Sequence, residues 1–371
     1  MHTYVQLLDE LSESGSLSAE WRGAFERAPR SAFVPGRIWS RSRSSWLDRA
    51  TDPDGWEAMV NADQVVITQL DDGDDNGPGV ATSSASTPSL VARMLHHLGV
   101  TDGDRVLDIG TGTGWTAALL STRLGATRVT TVEVDPDIAA QAQAALHAQG
   151  LLPAAAVADG LAGWARSAPY DAIHSTAAVQ RLPAEWLAQT RPGGIIVTPW
   201  GTPYANAALL RLEVAQPGLP SHGRFVENAS FMWIRAQRPQ QVSRPGQDPD
   251  SCRASAMDPD LAVEHVHAAF GIGLRLPGVR YLHTWEPSDP AASYRMQLTD
   301  QVGSWASVRG VDWHKEDAVQ QLGARKLWDE VEAARRWWVE QGRPELTRFG
   351  LTVHPDGRQI VWLDSPDQPV R

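Results

Sequence analysis

A single cysteine, Cys252, stands in the 371 residues. It excludes an intramolecular disulfide and any thiolate cluster for zinc, and its polar, proline-containing surroundings read as a free surface thiol. No stretch has the apolar length that spans a bilayer, and the opening "MHTYVQLLDELSESGS" lacks the basic-then-apolar layout of a secretory signal. The expected location is therefore cytoplasmic, with no membrane partner. Positive charge is also short: the formal net charge is -11, and no basic stripe interleaves with aromatics, which excludes nucleic acid as an expected partner. Part of the negative excess lies in "DDGDDNG", residues 71–77, read as a solvated loop without the alternating spacing of a calcium loop, so no metal is expected. Tyrosine and phenylalanine are scarce, at five and six, against sixteen tryptophans, most of which are expected to pack in cores.

Between residues 100 and 200 short apolar runs alternate with helical stretches: "RVLDIG", "WTAALLSTRLG", "RVTTVEV", "PDIAAQAQAALHAQG", "AAAVAD", "YDAIHST", "AEWLAQT" and "GGIIVTPW". That rhythm predicts an α/β fold, a mostly parallel sheet with helices on its faces. Pro136 suits a first helical turn, and Gly125 and Gly150 suit C-terminal caps. "ALLRLEVA" and "GRFVENASFMWIR" read as later strands of the same sheet. Residues 238–255 are rich in proline and polar residues and read as a linker. Beyond it the pattern predicts a small α+β domain over 256–371, ending in a hairpin whose "HPDGRQ" turn carries Asp-Gly.

The strand ending in Asp108 runs into Gly110-Thr111-Gly112-Thr113-Gly114 and a helix, which places glycine where backbone must approach a ligand closely. The spacing is G-x-G-x-G, whereas the dinucleotide fingerprint is G-x-G-x-x-G. The third glycine comes one residue early, as in the first motif of S-adenosylmethionine-dependent methyltransferases. The second strand ends in Glu133, where a carboxylate can accept hydrogen bonds from ribose hydroxyls, and the third in Asp159-Gly160, suited to an adenine edge. The cofactor-binding set is accordingly Asp108, Gly110, Thr111, Gly112, Gly114, Glu133, Asp159 and Gly160, and the cofactor S-adenosylmethionine. His174, on the "YDAIHST" strand, reads as a hydrogen-bonded structural residue.

Around these motifs the sequence resembles protein-L-isoaspartate O-methyltransferases over about its first 235 residues. "RAPRSAFVP" (27–35), "SASTPSLVARML" (84–95), "DGLAGW" (159–164), "PYDAIHSTAA" (169–178) and "RPGGIIVTPWG" (191–201) follow in the family's order. The resemblance implies a Rossmann-like class I methyltransferase domain over 1–237. It implies that Ser86 lies beside the substrate carboxylate and the donor methyl group, that Ser84 and Thr87 support it, and that backbone near Thr176 and Ala177 holds the substrate peptide. A carboxylate is ionised at neutral pH, so no general base is needed. Thr87 stands where the family usually has Gln or Ala, and the chain continues well past the "FMWIR" segment. The full layout resembles family homologues encoded with ribosomally made peptides of the graspetide and lanthipeptide kinds.

That likeness implies an aspartate methylated in a cyclised precursor peptide, the ester closing to aspartimide and in some cases opening to isoaspartate. The accessory domain would then select the substrate, with Trp285, Trp305, Trp313, Trp337 and Trp338 as contact candidates and at least one of Trp337 and Trp338 facing the core. An acidic enzyme meeting an acidic peptide gains no long-range attraction, so this recognition would rest on shape and apolar contacts. Two alternatives stay open: a general isoaspartyl repair enzyme, and a peptide-binding scaffold that has lost catalysis. The sequence leaves the oligomeric state open.

Overall fold

The computed structural model describes residues 3–240, 246–285 and 294–370. Among these residues the chain forms three sheets, of four, nine and five strands. The nine-stranded sheet is in two halves. Strands Thr190–Gly201, Tyr170–Ser175, Val106–Ile109, Val129–Glu133 and Ala154–Val157 lie side by side and parallel. Their short apolar runs are those of strands covered on both faces. On the other side of Thr190–Gly201 the sheet continues antiparallel through Asn206–Glu213, Ser221–Asn228, Phe349–Val353 and Gln359–Leu363.

Chain order reverses at Val106–Ile109, whose neighbours are Val129–Glu133 on one side and Tyr170–Ser175 on the other. A crevice opens at such a switch point, at the carboxyl ends of the strands. The helix Pro136–Ala148 begins where its sequence requires: Asp135 accepts from Asp137 N and Ile138 N, and Pro136 takes the first turn. Gly125, with φ of 92°, ends the helix Trp115–Leu124, and Gly150 lies just past the second helix with φ of 70°.

One face of the sheet is covered by the helices Tyr4–Glu13, Ala19–Arg27, Pro88–Leu98 and Trp115–Leu124, which bury Leu7, Trp21, Phe25, Val91 and Leu119 against Val106, Ala172 and Leu209. The other face shares a core with the C-terminal region. Trp200, Phe225, Phe270 and Phe349 form a continuous ring cluster, with centroids 5.0 Å apart for Trp200–Phe225, 5.1 Å for Phe225–Phe270 and 5.8 Å for Phe270–Phe349. Each fully buried ring contributes about 2–3 kcal/mol.

The linker and domain boundaries expected from sequence are redrawn by these contacts. Ser251–Arg253 is a strand paired with Val319–Gln321, while residues 241–245 of the expected linker lie outside the described residues. The hairpin Phe349–Val353 and Gln359–Leu363 is present, but it extends the nine-stranded sheet and not the small one, because Leu351, Val353 and Leu363 complete the main core. Its turn has positive φ only at Gly357, not at both Asp356 and Gly357. The five-stranded sheet itself runs Ser251–Arg253, Val319–Leu322, Trp305–Arg309, Tyr294–Thr299, Arg280–Trp285, with the helix Leu327–Glu340 packed on it.

Among the described residues no helix is long and apolar enough to cross a membrane, and no group of His, Cys, Asp or Glu could hold a metal ion. Cys252 is exposed and unbridged.

Candidate active site

The crevice at the switch point is a cavity of about 550 Å³. One wall is the glycine loop. Gly110 and Gly112 have φ of 85° and 54°, which L side chains avoid, and a Cβ on Gly110 would lie 3.2 Å from Thr176 Oγ1. Glu133, buried at the next strand end, accepts from Gly112 N at 2.9 Å through Oε2, and from Val134 N and Asp135 N through Oε1. A carboxylate has about four lone-pair sites, so one remains to meet a hydroxyl in the cavity. Gly160 closes this wall, since a Cβ there would come 2.7 Å from Ile109 Cγ2.

Ser84, Ser86 and Thr87 line the same cavity, and a Cβ on Gly112 would lie 3.7 Å from Ser84 O. Ser84 belongs to the strand Ala81–Ala85 of the four-stranded sheet, and Ser86 and Thr87 join that strand to the helix Pro88–Leu98, whose first-turn proline fixes the chain direction. Thr87 is the N-cap residue, yet its hydroxyl makes no cap hydrogen bond. Arg30 of the "RAPRSAFVP" segment holds this stretch in place. It is 0% exposed, and its guanidinium donates to Ala85 O at 2.9 Å, Ser86 O at 3.0 Å, Val60 O at 3.0 Å and Gln64 O at 2.9 Å. Burial pushes its pKa down to about 10, which leaves it a cation at neutral pH.

Gly110, Gly112, Glu133 and Gly160 therefore share one cavity with Ser84, Ser86, Thr87, Thr176 and Ala177. Four expected cofactor residues do not line it. Asp108, 0% exposed, lies beneath the loop, accepting from Thr131 Oγ1 at 2.9 Å and paired with His174 Nδ1 at 3.0 Å. Its place is to anchor the loop, and His174 is the hydrogen-bonded structural residue its sequence suggests. Thr111 is turned inward, 2.7 Å from Thr131 Oγ1. Gly114 caps the helix Trp115–Leu124 and packs over Ala142. Asp159 is exposed and accepts from Leu161 N at 3.0 Å.

The backbone amides of Thr176 and Ala177 are also occupied, donating to Ile109 O at 3.0 Å and Ser175 Oγ at 3.1 Å. Any peptide contact there must use other groups.

Residues the sequence reading missed complete the cavity: Arg41, Asn206, Phe231, Met232, Trp233 and Arg235. "FMWIR" reads as a strand, but among the described residues it makes a single bridge, Trp233 to Ala178, and it lines the site instead. Arg235 ties this segment down, reaching Asp135 at 2.9 Å and Asp72 at 3.1 Å, and Arg238 reaches Asp72 at 2.8 Å. Asp72 of the acidic loop is thus pinned, while Asp72–Asn76 are exposed, as the composition suggests. Hydrogen bonding from Arg238 holds Asp72 below the ordinary carboxylate range. Burial works to raise Asp135, but Arg235, Gln69 and the helix amides outweigh it and hold it low as well.

A family model described as protein-L-isoaspartate(D-aspartate) O-methyltransferase matches residues 58–219. The protein-L-isoaspartate O-methyltransferase of Anaeromyxobacter dehalogenans is 41% identical over 138 residues, 36% of this chain and 64% of that protein. The one from Gloeobacter violaceus is 33% identical over 161 residues, 43% of this chain and 77% of that protein. For the first of these relatives the shared stretch is thus under two thirds of its length. A solved structure titled protein-L-isoaspartate O-methyltransferase shares the fold with a TM-score of 0.55 at 19% identity, covering 98% of this chain and all of its own. Shared sequence in the Gloeobacter protein, the matching family model and the arrangement of the glycine loop agree: the chain belongs to the protein-L-isoaspartate O-methyltransferase family.

Proposed function

We propose that the protein transfers a methyl group from S-adenosylmethionine to the free carboxylate of an aspartyl-type residue in a peptide, with isoaspartyl peptides as the first substrate class. The observation that carries this reading is one cavity lined both by Gly110, Gly112, Glu133 and Gly160 and by Ser84, Ser86 and Thr87. The first group suits the cofactor: unsubstituted backbone admits close approach, and the Glu133 carboxylate would meet a ribose. When bound, the cofactor supplies a methyl group on a sulfonium, which leaves as a neutral thioether as a carboxylate oxygen takes the methyl. The remaining work belongs to this chain. The substrate carboxylate has a pKa of about 4 and is already ionised, so no side chain must remove a proton. Ser86 donates to the carboxylate oxygen that does not attack, and Ser84 and Thr87 fix the carbonyl plane. Alignment of this kind replaces acid–base chemistry as the source of rate. Phe231, Met232 and Trp233 exclude water from the reacting pair.

The narrower reading, a single aspartate in a cyclised ribosomal precursor whose ester closes to aspartimide, rests on the chain beyond residue 255. The fold shared over 98% of the chain with a structure titled protein-L-isoaspartate O-methyltransferase favours the isoaspartyl reading instead, because the added sheet then has no need of a dedicated precursor. The test is transfer of label from S-adenosylmethionine to a short isoaspartyl peptide as a base-labile ester. Cofactor binding without transfer to that peptide would favour the precursor reading. Absence of cofactor binding would support a scaffold.

A further inference from the structure

Beside the first cavity lies a second of about 760 Å³, and the two share Thr82, Trp233 and Arg235 in their linings. Three remote segments meet there: the acidic loop with Val80, the chain from Trp233 to Arg238, and Arg280 and Tyr281 at the start of the strand Arg280–Trp285. Among the described residues that strand is the outer one of the five-stranded sheet and pairs only with Tyr294–Thr299. Side chains alternate across a strand, so Tyr281, His283 and Trp285 share a face. Their rings form a ladder leading out of the cavity: Tyr204–Tyr281 at 4.8 Å, Tyr281–His283 at 5.6 Å, His283–Tyr294 at 4.9 Å and Tyr294–Trp285 at 5.6 Å.

Trp285, at the far end, is 66% exposed, and it is the one tryptophan among the described residues that is. Of the other tryptophans suggested by sequence as contacts, Trp305 and Trp338 are buried at 3% and 6%, and Trp337 packs against Phe349 under Arg275. An aromatic face left in water at the end of a ladder that starts on the buried Tyr204 ring has no core to serve.

We propose that the second cavity and this ladder seat the substrate chain flanking the reacting residue, as an extended peptide laid along Arg280–Trp285 with apolar or aromatic side chains on the rings. The proposal rests on the methyltransferase reading, because the occupant is the peptide whose carboxylate enters the first cavity. Continuity through Trp233 and Arg235 argues for that occupant: a chain leaving the first cavity on this side passes directly into the second. From Tyr281 to Trp285 an extended chain covers about 13 Å, so contact requires about four residues beyond the cavity. Backbone pairing with an outer strand supplies affinity and the rings supply selectivity.

The test compares a capped isoaspartyl tripeptide with a ten-residue peptide that carries the same centre and aromatic residues at alternating flanking positions. The wild-type protein should use the longer peptide with kcat/KM at least about tenfold higher. Trp285→Ala and Tyr281→Ala should remove that preference by raising KM for the longer peptide while leaving the tripeptide unchanged. Equal use of the two peptides by the wild type, or an equal loss on both in the variants, would overturn the proposal. Hydrogen exchange provides an arm that does not depend on turnover. The longer peptide, and not the tripeptide, should protect residues 280–285, and the absence of protection would refute the seat. Failure of transfer to both peptides, with protection retained, would count against the isoaspartyl reading alone.

Discussion

The two adjoining cavities are made of different chemistry. The reacting part of the first is backbone, hydroxyls and the Glu133 carboxylate from short contiguous motifs at strand ends, completed by Arg41, Asn206 and the 231–235 segment. The second is framed by arginines and aspartates from segments far apart in the chain, pinned by ion pairs such as Arg235–Asp72 and Arg238–Asp72. A site for an invariant small molecule can be built from a few turns whose geometry is local. A site for a polymer is bounded by whatever surfaces the fold brings alongside.

If that contrast holds, damage to the first cavity should abolish function and damage to the second should only tune it. The largest effect is expected for Gly110→Val, which combines a positive φ with a Cβ 3.2 Å from Thr176 Oγ1. Methyl transfer should fall at least about a hundredfold, with cofactor binding lost by calorimetry. Arg30→Met comes next. It leaves the carbonyls of Val60, Gln64, Ala85 and Ser86 without their donor and should cost about 3 kcal/mol in denaturant unfolding. Activity should fall as well, because the serine-bearing stretch loses its anchor.

Glu133→Gln keeps the shape but turns an amide NH2 towards a backbone N–H that the carboxylate now accepts. Cofactor affinity should drop by about 2 kcal/mol, roughly thirtyfold, with the peptide KM unchanged. Arg235→Gln should act more weakly, about 1 kcal/mol or less and seen in the peptide KM, since its partnership with Asp72 is partly exposed and screened by salt.

The same pairs set the smallest effect, that of pH. Asp72 and Asp135 titrate below their ordinary 3.8 in the folded protein, so their contribution to stability is fully present above that value. It is lost only as pH falls through the lowered folded values. Thermal unfolding measured from pH 5 to pH 8 should show no loss traceable to this rim.

Sequence carried the first cavity further than the second for a physical reason. Three strand-end signals in order, at Gly110–Gly114, Glu133 and Asp159-Gly160, disclose a sheet and its ligand edge because strand, turn and helix are set by neighbours in the chain. Periodicity could not reveal which of those residues face the ligand. Asp108 is bound up by Thr131 and His174, whose approach depends on sheet pairing. The pairing of Asp72 within the exposed "DDGDDNG" loop was not legible, because Arg235 and Arg238 lie about 160 residues away. The hairpin at Phe349–Leu363 was recognisable as a hairpin, but its apolar faces could not announce which sheet they complete. Exposure of a single tryptophan out of sixteen likewise follows from tertiary packing, not composition.

The most direct test of the central claim is calorimetric titration of S-adenosylmethionine into the wild-type protein, followed in the same preparation by label transfer to a short isoaspartyl peptide. The account predicts saturable binding, ester formation, and a Ser86→Ala variant that binds the cofactor normally yet transfers about tenfold or more slowly. Wild-type protein that transfers nothing, or a Ser86→Ala variant that transfers at the full rate, would contradict it.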